Sequence, residues 1–62
     1  MRGWLVAIRE SKGMTQKALA EKVQISQPSI CDIEHGEIDP KPDTAKRIAN
    51  VLGFDWTRFF DK

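Results

Sequence analysis

Between Gln27 and His35 the chain sets out a primary amide, a proline ring, a thiol, a carboxylate and an imidazole. Wound at about 100° per residue, this stretch collects Ile30, Ile33 and Glu34 on one side. Pro28, Cys31, Asp32 and His35 fall on the other, with Gln27 at the border. An amide donates and accepts, an ionised carboxylate only accepts, and a proline ring offers apolar contact. Such groups suit recognition of another molecule's hydrogen-bonding edge. They do not make a catalytic set: the chain has one histidine, no triad and no glycine-rich phosphate loop, so no enzyme is expected. Cys31 and His35 stand one helical turn apart, but two ligands are too few for a metal site. No cofactor, metal or small-molecule ligand is implied.

Side chains can read an edge only when a rigid element presents them. Leu19 and Val23 form an i,i+4 apolar pair with Ala20 beside them, and Ile30 and Ile33 form an i,i+3 pair. The connection between the two runs is short, so the helices must cross steeply, and Ala20 is the small residue that permits their approach. Ile25 can plug the angle, while Thr15 and Ser26 can cap the two helix starts. Residues Gln16 to His35 therefore read as a helix-turn-helix, a unit that lays its second helix in a DNA major groove.

Around it, a first helix is expected from Gly3 to Lys12, with Leu5 and Ile8 as its core pair and Gly13 ending it. Helices over 16–23 and 27–35 follow, the latter closed by Gly36. Pro42 and Asp43 suit the first turn of a fourth helix, which buries Ala45, Ile48, Ala49 and Leu52 and stops at Gly53. Asp55 is expected to cap a short fifth helix, WTRFF. With no period-2 alternation and no repeat, the fold class is all-α, a compact five-helix domain. Phe54, Trp56 and Phe59 should tie the fifth helix to the first and fourth. Phe60 and Trp4 are left as an exposed patch, a candidate dimer contact.

The fragments IRESKGMTQKALA and ISQPSICDIEHG, followed by the proline and the helix ending in VLG, resemble the phage repressor and Cro type of helix-turn-helix family, also called XRE-like. The resemblance covers nearly the whole chain and implies a lambda-repressor-like fold. It implies that Gln27, Pro28 and Asp32 read bases: Gln27 can pair with adenine N6 and N7, Pro28 can meet a thymine methyl, and Asp32 can accept from cytosine N4. It also implies a phosphate contact by Gln16 with its helix N-terminus, and a structural ion pair between Arg9 and Glu34. Lys12, Lys17 and Lys41 are within reach of phosphate, and Ser29 flanks the groove-facing side. Where the family usually has glycine in the turn, this chain has Gln24, and a left-handed backbone there costs about 1 kcal/mol. Family members commonly bind two half-sites as dimers.

A chain of 62 residues holds one small domain, expected over residues 1–62, with a composition that suits a globular protein: 40% apolar and 31% charged. The net charge of +1 is modest for a nucleic-acid partner. It is unevenly distributed, with five basic and two acidic residues up to position 31, then five basic and seven acidic. A polarised molecule can still turn a positive face to phosphate. Lacking a membrane-length apolar run and anything like a signal peptide, and with Cys31 its single cysteine, the chain is expected in the cytoplasm. The expected function is a sequence-specific transcriptional regulator of phage or mobile-element type, with a double-stranded operator and a second copy as partners. The competing expectation is a protein-interaction module, such as an antitoxin component or adaptor, that reuses the fold.

Overall fold

A computed structural model describes residues 1–61. It contains α1 (Gly3–Ser11), α2 (Gln16–Val23), α3 (Gln27–His35), α4 (Pro42–Leu52) and a terminal 3-10 helix (Trp56–Phe60). The described residues include no strand. Their Cα atoms span 27 × 20 × 20 Å, and none of the helices is long and apolar enough to cross a membrane.

Local chemistry sets most of the boundaries. Thr15 accepts from the Ala18 N–H at 3.0 Å and Ser26 from the Ser29 N–H at 3.3 Å, so α2 and α3 each start on a hydroxyl that satisfies a free donor. α1 ends at Ser11 with Lys12 as its cap, one residue short of the expected end, and its last turn is closed by Gly13 at φ 69°. The α2–α3 turn confirms the departure at Gln24. Its φ of 61° and ψ of 43° are left-handed, and its geometry lets the Ile25 N–H reach back to the Ala20 carbonyl at 3.1 Å.

Leu5, Leu19, Ala20, Val23, Ile30, Ile33, Ala45, Ile48, Leu52 and Phe59 form one buried cluster, with Ile8, Met14 and Ile25 packed against it. The cluster draws on every helix. α3, with its neighbours on both sides of the chain, is thereby held by its apolar flank.

The fifth element is a 3-10 helix and not an α-helix, so the architecture is four α-helices and a tight terminal turn. Asp55 accepts from both the Thr57 N–H at 3.0 Å and the Thr57 hydroxyl at 2.8 Å, which winds the backbone from its first residue. Asp55 also takes the Arg58 N–H on its carbonyl at 3.0 Å, an i→i+3 bond. In that winding residues three apart eclipse, so Trp56 and Phe59 turn toward the body while Phe60 stays 45% exposed.

Trp4 does not share that exposed patch. Its ring meets Phe54 at 5.2 Å and Phe59 at 5.4 Å between centroids, and Arg58 lies over its face at 4.5 Å. Two phenylalanine rings offer it an edge-on seat, which outweighs leaving an indole in water.

Candidate nucleic-acid interface

The recognition surface rests on how α3 is anchored from behind. Glu34 is buried with its side chain only 2% exposed, where an unpaired carboxylate would be costly. It is fully satisfied. Arg9 Nε donates to one oxygen at 2.6 Å, Arg9 Nη2 to the other at 3.3 Å, and Gln16 Nε2 to that second oxygen at 2.9 Å. Arg9 also donates through Nη1 to the Met14 carbonyl at 2.8 Å. One network thus fastens α1, the α1–α2 turn and the start of α2 to the last turn of α3.

This arrangement gives Gln16 a different first role from the expected one. Its amide is directed into the Glu34 network rather than outward, because a buried carboxylate oxygen is a stronger acceptor than water can replace. The N-terminus of α2 itself stays at the surface, with Lys17 exposed beside it.

On the opposite flank of α3, Gln27, Pro28, Asp32 and His35 are all exposed. Among the described residues nothing hydrogen-bonds the side chains of Gln27 or Asp32. Ser29 is half-buried, and its hydroxyl shares a hydrogen bond with that of Ser26 at 2.8 Å. His35 Nδ1 donates to the Cys31 carbonyl at 2.8 Å with the thiol at 3.3 Å, which occupies the imidazole within its own helix. Among the described residues no group of three or more His, Cys, Asp or Glu could hold a metal ion.

Lys12 and Lys41 are exposed, at the C-terminus of α1 and at the N-cap of α4. Lys41 lines, with Ile25, Ser29 and Ile33, a shallow groove of about 230 Å³ between α3 and the start of α4. The structure therefore brings Ser29 and Lys41 to one groove, and Arg9, Gln16 and Glu34 to one buried cluster. Lys12 belongs to neither. Phe60 lies at the far end of the chain, against Trp56 at 6.0 Å between centroids.

Two cations escaped the sequence reading. Arg47 donates to the Val23 carbonyl at 3.3 Å and pairs with Asp43 one turn back at 2.9 Å; the i,i+4 spacing was a visible signal for the second contact. Arg2 reaches the end of α3 across the whole first half of the chain, a contact with no local sequence signature.

Residues 5–59 match the family described as Helix-turn-helix. The chain is 43% identical over 61 residues to an uncharacterized HTH-type transcriptional regulator, YqaF, of Bacillus subtilis (strain 168), covering 98% of this chain and 80% of that one. It is 38% identical over 47 residues to the immunity repressor protein of Bacillus phage phi105, covering 76% of this chain but 33% of the phage protein. An uncharacterized HTH-type transcriptional regulator of Methanothermobacter thermautotrophicus is 40% identical over 45 residues, covering 73% of this chain and 65% of its own length. No solved structure gives a significant match. A buried network behind α3, free polar groups on its outer flank, and a family match over almost the full length agree: the chain belongs to the helix-turn-helix family of transcriptional regulators.

Proposed function

We propose that this regulator binds a double-stranded DNA operator with α3 in the major groove and represses by occupying the site. The observation that carries the proposal is the outer flank of α3, where Gln27, Pro28 and Asp32 are exposed on a helix immobilised from behind by Glu34. Rigid presentation matters because a base contact discriminates only if the side chain cannot shift to suit the wrong base. Lys17 at the start of α2, Lys41 at the start of α4 and Lys12 supply phosphate contacts that position the domain. Ser29 adds a phosphate contact when its hydroxyl leaves Ser26. Gln16 contributes chiefly by holding Glu34, with the N-terminus of α2 toward the backbone. Similarity to a phage immunity repressor supports a regulator of phage or mobile-element type, working in the cytoplasm of a bacterial or phage-infected cell.

The protein acts as a homodimer on DNA, with Phe60 as the contact between copies and Trp4 excluded from it by its inward packing. Phe60→Ser should weaken pairing without unfolding the domain, and sedimentation that finds one copy per duplex would remove the dimer. Binding to random and selected duplexes across a salt titration tests the function itself. A selected duplex that binds more tightly, with affinity falling as salt rises, is the expected result. No binding at low salt would replace the regulator with a protein-interaction module.

A further inference from the structure

Arg2 takes no part in the contacts proposed above, yet its bonds converge on the end of the recognition helix. Its backbone N–H donates to the Glu34 carbonyl at 2.7 Å. Its Nη1 donates to the carbonyls of Ile33 at 2.6 Å and Ile38 at 3.1 Å, and its Nη2 pairs with the Asp39 carboxylate. The guanidinium also lies over the Phe59 ring at 5.6 Å. Its side chain is 13% exposed, whereas that of Asp39 is 70% exposed.

Ile33 and Glu34 belong to the last turn of α3, whose carbonyls carry partial negative charge. The Ile33 carbonyl already takes the Gly36 N–H at 3.2 Å, and Arg2 adds a second donor to it and supplies one to Glu34. A single arginine therefore completes the end of that helix and grips the following loop at two successive residues, Ile38 and Asp39. A planar fork spreads its donors over separate nitrogens and so reaches acceptors on two sides at once, whereas a lysine's three donors share one nitrogen. The loop has few other holds: the Glu37 N–H on the Asp32 carbonyl at 2.9 Å and a buried Pro40. Lys41 follows directly.

We propose that Arg2 is a positioning residue for DNA binding. By fixing Ile38 and Asp39 to the end of α3 it sets where Lys41 meets phosphate. It also cancels the Asp39 charge, which would otherwise repel the same strand. The inference rests on the phosphate contact proposed for Lys41.

The test is a double-mutant cycle on the full chain with Arg2→Ala, Lys41→Ala and both together. Affinity for a selected duplex and a random duplex is measured across a salt series, at a temperature where circular dichroism shows each variant folded. In the unaltered chain Lys41→Ala should weaken both duplexes and lower the salt slope by about 0.9. In the Arg2→Ala background the same change should cost less than about half as much in log affinity, because coupled sites do not add. If Arg2→Ala fails to fold, the cycle is run with Arg2→Lys, which keeps the charge and loses the fork. Equal losses from Lys41→Ala in both backgrounds would overturn the positioning role while leaving the phosphate contact standing. A Lys41→Ala variant with an unchanged salt slope in the unaltered chain would remove the contact, and the proposal with it.

Discussion

The inner flank of α3 carries Ile30, Ile33 and Glu34, all buried, with every oxygen of the carboxylate paired inside the chain. The outer flank carries Gln27, Pro28 and Asp32, all exposed, with no bond to the side chain of Gln27 or Asp32 among the described residues. Each flank carries a carboxylate, Glu34 on the inner side and Asp32 on the outer, so the presence of a charge does not separate them. What separates them is whether the partners come from within. The polar group paired inside the chain contributes to stability; those facing water on the outer side are the ones proposed above to meet DNA.

The sharpest way to break this division is at Glu34. Glu34→Ala strands Arg9 in a nearly dry site and should cost about 3–5 kcal/mol, whereas Glu37→Ala, on an exposed residue, should stay within about 0.5 kcal/mol. Equal midpoints for the two variants in a urea melt would erase the distinction between the flanks.

On the outer side the effect should move to recognition. Gln27→Ala should leave the melt unchanged and reduce discrimination at one base pair of each half-site by about 1–3 kcal/mol. Lys17→Ala should instead weaken all duplexes alike and lower the salt slope by about one unit. A panel of single-base operator variants checks both. A uniform loss of affinity on Gln27→Ala would mean that α3 does not read bases through this residue.

The turn between α2 and α3 sharpens the comparison from a third side, since Gln24 is exposed yet strained at φ 61°. Gln24→Gly removes that strain and should raise stability by about 1 kcal/mol, visible as a higher urea midpoint with unchanged DNA preference.

Asp55 gives the smallest effect and the cleanest contrast with Glu34, because it is a carboxylate that accepts hydrogen bonds in full contact with water. The Thr57 N–H and then the Thr57 hydroxyl hold its pKa below the usual carboxylate value of 3.8. A lowered folded value means that its contribution is complete above that ordinary value and fades as pH falls through the folded one. The gap in urea midpoint between wild type and Asp55→Ala should therefore be larger at neutral pH than near pH 2. A gap independent of pH would remove the charged cap.

These contrasts also explain how far the sequence could be read. Helix starts at Thr15 and Ser26 and the apolar stripe of α3 are local patterns, and spacing reveals local patterns; the left-handed turn at Gln24 follows from the glycine that the resembled family usually has there. The pairing of Arg9 with Glu34 came from family resemblance, since their separation along the chain has no helical meaning. Arg2 was invisible because its acceptors on Ile33 and Ile38 are backbone carbonyls, which every residue possesses. The resemblance points Gln16 toward phosphate, and nothing in its neighbourhood announces a carboxylate brought in from another helix. The inward packing of Trp4 is hidden from the sequence for a related reason. Its seat is made by Phe54 and Phe59 from the other end of the chain, and only the closed fold shows that three rings fit together.

The dimensions of the molecule carry a consequence for the homodimer proposed above. Half-sites on one face of a duplex lie about 34 Å apart, centre to centre, while the longest span of Cα atoms here is 27 Å. Two copies laid end to end would leave about 7 Å between their backbones, the reach of a pair of facing side chains. In that arrangement the copies would meet through facing side chains and not through packed backbones. The duplex would then hold both copies of the proposed homodimer at high local concentration, so occupancy should rise cooperatively with protein.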